Sequence, residues 1–417
     1  MPRAVVVILD GVRRDSVTPE HMPCLTAFAA EATRFAAHRS VFPSATRVVS
    51  ASMATGCFPA RHGLQGNTTV LMEAGRLVRR DAGLPGFLEH RRSVTGASLA
   101  MPTMAQRLMR HGGAIIFSNV SPGAAYTHDP DGHGHLYHRA GSYGPGRVPL
   151  ADGLDIACDS PGDRVMTERF IAALPRQAAL SMIWMGEPDH IQHAVPLGSP
   201  EHLAVLRAAD AHAGMIIDAV AALRAAGEDV LLIVGSDHGH ETVCGVVDVE
   251  GALVAAGLKA AMDSGDVISA ANGCGCLIYV HPDERARIPA IGAFLRAQDW
   301  AERVFDAADL AEIGQSTAGG LAFAVTMRSS LEANEYGVPG LSLAAMPPEG
   351  KPDRMGCGQH GGLGTWEQSP FLMIAGRGFA GGAERQEPTS ALDIAPTVLA
   401  HLGVFAAALD GRALQTR

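Results

Sequence analysis

The stretch VVVILDG, residues 5–11, has the composition of a buried parallel strand that ends at an aspartate. Unbroken runs of branched apolar residues are typical of strands that are covered on both faces of a sheet. Three further runs of this kind are AIIF (114–117), ALSMIWM (179–185) and DVLLIV (229–234), and each is followed by a helical pattern. Alternation of strands and helices predicts an α/β fold with a doubly wound, mostly parallel sheet.

Two regions interrupt this alternation. Residues 121–150 are rich in Gly, Pro, His and Tyr, which predicts a long loop inserted in the sheet domain. Residues 245–355 mix helical patterns with strand-like runs, which predicts a smaller α+β cap insertion. The core is therefore predicted to consist of residues 1–244 and 356–417.

The composition excludes several classes of protein. The chain of 417 residues has a net charge of −10, which argues against a nucleic-acid polymer or an anionic membrane as partner. No run approaches the ~18 apolar residues that a membrane span requires. The apolar run at residues 4–9 is too short for a signal peptide, so we expect a cytoplasmic protein that acts on a small molecule. The sequence is compatible with assembly into a homo-oligomer.

Polar side chains follow the predicted strands where each strand ends. These residues are Asp10, the pair Asp189 and His193 in GEPDHIQH (186–193), the pair Asp237 and His238 in GSDHGHE (235–241), and His360 in GQHGG (358–362). Because ligands gather at the carboxyl ends of parallel strands, we expect these side chains to meet there. Three aspartates and three histidines are enough for two divalent ions. This mixture of carboxylate and imidazole ligands suits zinc, with manganese or iron as alternatives.

The order of these motifs resembles that of the alkaline phosphatase superfamily, and within it the nucleotide pyrophosphatase/phosphodiesterase family and its phosphonoacetate hydrolase relatives. The resembling motifs are VVVILDG, PSAT…TG (43–56), PxxHG (59–63), the Asp189/His193 pair, SDHG (236–239), QHGG (359–362) and LDIAPTVLAHLG (392–403). The resemblance implies an alkaline phosphatase-like core and metal-dependent hydrolysis of small organic phosphodiesters, nucleotides included. Hydrolysis of a phosphonate C–P bond or of a phosphomonoester at the same site is the alternative.

The resemblance also implies a role for each polar residue. One zinc would be held by Asp189, His193 and His360, and the other by Asp10, Asp237 and His238. The second zinc would also contact Thr46, the implied nucleophile, which would form a phospho-threonine intermediate. Asn67 would donate a hydrogen bond to a phosphoryl oxygen.

One departure from the family pattern lies directly after Thr46. Phosphodiesterases of the family usually carry an aromatic residue there, whereas this chain has Arg47, which we predict to bind a second anionic group of the substrate. The phosphonoacetate hydrolase relatives bind a carboxylate with lysines, and this chain has no lysine before Lys259.

Three further residues, two of them in the Tyr- and His-rich segment, are predicted to lie near the substrate. Tyr126 or Tyr137 would stack on an organic group of the substrate at the lip of the site, if residues 121–150 are not simply a mobile surface loop. His240 would point at the substrate or cap its strand.

Overall fold

A mixed sheet of ten strands forms the centre of the computed structural model, which describes residues 1–416. In spatial order its strands are Glu384–Arg385, Thr33–Phe35, Leu372–Ala375, Val230–Gly235, Arg3–Leu9, Leu180–Met185, Ala114–Ser118, His135–Tyr137, Tyr143–Gly144 and Val148–Pro149. The five strands from Val230–Gly235 to His135–Tyr137 are parallel to one another. The predicted α/β fold with a doubly wound sheet is confirmed, because the four strands predicted from apolar runs lie side by side in it.

The first strand separates two hydrophobic layers. Val6 and Ile8 pack into a cluster on one face with the helix that begins at Thr46. Val5 and Val7 pack into a second cluster on the other face with two long helices. Both faces of the strand are therefore buried, which explains its uninterrupted apolar sequence.

The α-helices that cover the sheet and the insertion are short, with two exceptions. Their bounds are Pro23–Phe28, Thr46–Thr55, Pro59–His62, Phe87–Thr95, Met104–Leu108, Pro122–Tyr126, Ser160–Ala173, Asp189–Gln192, Pro200–Ala225, Val249–Ala255, Ile288–Arg296 and Ile394–His401. None of the helices in residues 1–416 combines the length and the apolar character that crossing a membrane requires. A capping box formed by Ser390 and Asp393 begins the 3-10 helix Ala391–Asp393, which leads directly into the last α-helix.

Two four-stranded sheets lie within residues 241–359. One contains, in spatial order, Ser329–Ala333, Pro339–Ala345, Glu241–Val247 and Gly358–Gln359. The other contains Val267–Asn272, Gly275–Val280, Leu321–Met327 and Ala301–Phe305. The division into a core and a cap at residues 245 and 355 stays a prediction.

Residues 121–150 contain more regular structure than the predicted loop. They form the helix Pro122–Tyr126 and three short strands that extend one edge of the central sheet. Tyr137 is buried and stacks on Phe117, with 4.4 Å between the ring centroids. The aromatic residues thus attach this segment to the core, which the glycine- and proline-rich composition did not indicate.

Candidate active site

The carboxyl ends of three parallel strands bring the predicted aspartates together. Asp10 directly follows the strand Arg3–Leu9, while Asp189 and Asp237 follow its two parallel neighbours. The backbone N–H of Asp189 donates a hydrogen bond to the carbonyl oxygen of Asp10 at 3.2 Å. The expectation that these strand ends meet at one edge of the sheet agrees with the structure.

The first group of possible metal ligands consists of Asp189, His193, His360 and His240, whose ligand atoms all lie within 4.8 Å of one another. Oδ1 of Asp189 is 3.5 Å from Nε2 of His193 and 3.5 Å from Nε2 of His360. His240 lies closer, with Nε2 at 2.8 Å from the same oxygen. That His240 faces the substrate or caps its strand stays a prediction, and in the structure its ring contacts Asp189, a predicted metal ligand.

The second group consists of Asp10, Asp237 and His238, and all three side chains are buried. Nε2 of His238 is 3.0 Å from Oδ2 of Asp237 and 3.5 Å from Oδ1 of Asp10. Trp184 Nε1–H donates to Oδ2 of Asp10 at 3.0 Å, and the Gly11 N–H donates to Oδ1 of Asp237 at 3.1 Å. The remaining oxygens, Oδ1 of Asp10 and Oδ2 of Asp237, are buried without a hydrogen-bond partner in the described chain.

Backbone carbonyls orient two imidazole rings of the first group. Nδ1 of His193 is 2.8 Å from the carbonyl oxygen of Gly358, and Nδ1 of His360 is 2.7 Å from that of Ser44. These contacts favour the tautomer that carries its proton on Nδ1, which leaves the Nε2 lone pair free for a metal. The His238 and His360 rings are stacked, with centroids 3.7 Å apart, so the two groups are in direct contact.

The electrostatics of the two groups favour bound cations. Burial lowers the pKa of His193 to about 3 and that of His360 well below its usual value, so both rings are neutral. Burial, together with the charges of Asp237 and Asp189, raises the pKa of Asp10 well above its usual value. Buried carboxylates that lack hydrogen-bond donors are unfavourable unless a cation compensates them. The donor set therefore fits divalent metals.

Thr46 and Asn67 lie beside the second group. Thr46 is the first residue of its helix, and its Oγ1 is 3.1 Å from Nε2 of His238. Oδ1 of Asn67 accepts a hydrogen bond from the backbone N–H of Arg47 at 3.1 Å. Because the carbonyl end of the Asn67 amide is occupied by the backbone, its NH₂ group is the end that can donate to a ligand in the pocket.

The pocket above these groups has a volume of about 320 Å³ and is lined by four cationic side chains. They are Arg47, Arg139, Lys351 and Arg354. Arg139 is held by the carbonyl groups of Asn119 and Val120, and Arg354 donates to the carbonyl oxygen of His193 at 2.8 Å. The site thus combines metal-ligand chemistry with positive charge, which suits an anionic substrate.

The structure does not bring Tyr126 and Tyr137 to the pocket. Tyr126 is buried, and its hydroxyl donates to the carbonyl oxygen of Gly141 at 3.1 Å. The hydroxyl of Tyr137 accepts a hydrogen bond from Arg176 at 2.9 Å. Their predicted stacking on the substrate is not supported by these positions, because both rings are part of the core.

Several pocket residues had no signal in the sequence. Lys351 lines the pocket from an irregular segment. Asn272 also lines it, and its Oδ1 accepts a hydrogen bond from the backbone N–H of Asn67 at 2.6 Å, although the two residues are distant in the chain. Asn272 is the last residue of its strand, which is the one local feature that could have identified it.

The sequence profile of the family described as type I phosphodiesterase / nucleotide pyrophosphatase matches residues 4–318. Comparison with curated proteins finds no significant match. Among solved structures, murine ectonucleotide pyrophosphatase/phosphodiesterase 5 is similar with a TM-score of 0.68 and 17% identity over 98% of this chain and 97% of that one. The human protein is similar with a TM-score of 0.66 and 15% identity over 98% of this chain and 97% of that one. An inactive variant of the murine protein in complex with AMP is similar with a TM-score of 0.68 and 16% identity over 99% of this chain and 97% of that one.

Proposed function

The chain belongs to the type I phosphodiesterase/nucleotide pyrophosphatase family, and on this basis we propose that it hydrolyses small organic phosphodiesters through a phospho-threonine intermediate at Thr46. The family acts on phosphodiester bonds of small phosphorylated substrates. The intermediate, the two divalent metals and the individual residue roles belong to the proposal.

One observation carries the proposal. Oγ1 of Thr46 is 3.1 Å from Nε2 of His238, and His238 belongs to a buried group with two carboxylate oxygens that lack donors. A hydroxyl in this position would lie next to any cation that these atoms bind. Asp10, Asp237 and His238 would hold one metal, and Asp189, His193 and His360 the other. When bound, the two ions would favour ionisation of the hydroxyl and offset negative charge on the phosphoryl group.

The chemistry assigned to this chain proceeds in two displacements. Oγ1 of Thr46 attacks phosphorus, the bond to one alcohol breaks, and that alcohol leaves with a proton. Water then attacks phosphorus, breaks its bond to Oγ1 and releases a phosphomonoester. The side-chain amide of Asn67 would donate a hydrogen bond to a phosphoryl oxygen, where negative charge increases in each transition state.

Metal dependence and bond preference can be tested with one set of assays. The purified protein is stripped with a chelator and reloaded separately with Zn²⁺, Mn²⁺ or Fe²⁺. Turnover is then measured with bis-p-nitrophenyl phosphate, p-nitrophenyl phosphate, a p-nitrophenyl phenylphosphonate ester and phosphonoacetate. We expect activity only after reloading, with kcat/KM highest for the diester.

Other results would change the proposal in defined ways. Faster cleavage of the monoester than of the diester would refute a phosphodiesterase. Release of phosphate from phosphonoacetate would instead favour the C–P hydrolase alternative. Full activity after complete removal of metals would refute the metal-dependent mechanism.

A further inference from the structure

Arg47 lines the pocket with a guanidinium group that no protein acceptor satisfies. Its Nε is buried without a hydrogen-bond partner, and no carboxylate of residues 1–416 forms an ion pair with it. Buried Arg91, in contrast, donates to three backbone carbonyls. A half-buried cation without an acceptor loses hydration without compensation. An anionic group of a ligand would supply the missing acceptor.

The protein backbone is shaped around this guanidinium. A Cβ atom at Gly83 would overlap the Arg47 side chain, although Gly83 does not have the left-handed backbone conformation that favours glycine. The carbonyl oxygen of Gly83 accepts a hydrogen bond from the N–H of Gly123 at 3.0 Å. The helix Pro122–Tyr126 therefore supports the surface on which the guanidinium lies, and the missing Cβ at Gly83 leaves room for the guanidinium in this position.

The nearest candidate partner, Asp81, is already engaged. Its Oδ1 accepts from the backbone N–H of Gly83 at 2.8 Å, and its Oδ2 pairs with Lys351 Nζ at 2.6 Å. Lys351 and Arg354 add further positive charge at the pocket wall. Arg47 is thus left without a carboxylate of its own among the described residues, although the charges of Asp189 and Asp10 act on it.

We propose that Arg47 binds a second anionic group of the substrate, a carboxylate or a phosphate, carried on the organic substituent of the phosphodiester. This proposal rests on the proposed phosphodiesterase function. A guanidinium offers two parallel N–H donors to either group, so the recognition chemistry is shared. The substrate class is then an anionic phosphodiester rather than one with an uncharged alcohol on both sides.

Three p-nitrophenyl phosphodiesters test the proposal, and they differ only in the second alcohol. The alcohols are ethanol, β-hydroxypropanoate and ethylene glycol monophosphate. We expect the metal-loaded wild type to prefer at least one anionic ester over the ethyl ester by about tenfold or more in kcat/KM. Arg47→Gln should remove most of this preference, and Gly83→Ala, which displaces the guanidinium but keeps its charge, should reduce it. Arg164→Gln, on an exposed helix surface, is the control and should keep the preference.

Each outcome has a defined meaning. A larger effect on the carboxylate ester or on the phosphate ester identifies which anion is bound. Equal kcat/KM for all three esters in the wild type would refute the proposal. An equal loss for all three esters in Arg47→Gln would also refute it, because Arg47 would then act on the shared phosphoryl group. If the wild type cleaves none of these esters and not bis-p-nitrophenyl phosphate either, the phosphodiesterase function itself fails, and this proposal with it.

Discussion

Replacement of Thr46 by alanine removes the hydroxyl that lies 3.1 Å from Nε2 of His238. If this hydroxyl forms the covalent intermediate, kcat for bis-p-nitrophenyl phosphate should fall by about ten-thousandfold, as in other enzymes that lose their nucleophile. The free energy of unfolding should fall by only about 1 kcal/mol, because one hydrogen bond is lost and alanine is the better helix former. Thr46→Ser keeps a hydroxyl and should retain much of the activity.

The assay combines steady-state kinetics with metal analysis and acid-quench mass spectrometry. Wild type and Thr46→Ser should accumulate a phosphorylated peptide that contains residue 46, whereas Thr46→Ala should not. Thr55→Ala is a matched control, because Thr55 lies in the same helix and its hydroxyl donates to the carbonyl oxygen of Ala51 at 2.8 Å. Retention of more than about 1% of wild-type kcat by Thr46→Ala at equal metal content would refute the assignment.

Three further perturbations probe other parts of the molecule. Asn67→Ala should lower kcat by about a hundredfold with a smaller effect on KM, because it removes a donor to the charged transition state. An unchanged kcat in steady-state assays would contradict this role of Asn67. His240→Ala leaves Oδ1 of Asp189 without its donor at 2.8 Å, so the affinity for metal should fall by about tenfold. The affinity is measured by competition with a chromophoric chelator. Equal affinity in the variant and the wild type would argue against a positioning role for His240. Burial lowers the pKa of His62 from 6.5 to about 3, so the stability that neutral His62 contributes is present above pH 6.5 and is lost as the pH falls towards 3. Between pH 7.5 and 5.5, urea unfolding should show that the wild type loses about 1.4 kcal/mol more than His62→Asn, and equal losses would refute the assignment.

The sequence predicted those parts of the site that local patterns determine. Asp10 and Asp237 are recognisable because each follows an unbroken apolar strand, and parallel strands end at the same edge of the sheet. The pair Asp189 and His193 is recognisable from its spacing of one helical turn.

The features that the sequence did not reveal depend on contacts between distant segments. Lys351 reaches the pocket because its segment packs beside the hairpin that contains Asp81, and no periodicity encodes that contact. Tyr126 and Tyr137 were placed at the pocket because aromatic residues in a glycine-rich segment are typical of binding loops. In the structure Tyr137 stacks on Phe117, Tyr126 packs against His138 and Tyr143, and both tyrosine rings are buried. Burial of this kind depends on packing and not on composition.

The hydrogen bond from the N–H of Asp189 to the carbonyl oxygen of Asp10 has a consequence for heat inactivation. It makes the spacing between the two ligand groups depend on the alignment of two central strands, whose backbone hydrogen bonds are among the last in a domain to open. Warming that frays peripheral loops should therefore leave this spacing intact. Catalytic failure should coincide with cooperative melting of the central sheet, in contrast to enzymes whose sites are assembled from mobile loops and fail at lower temperature.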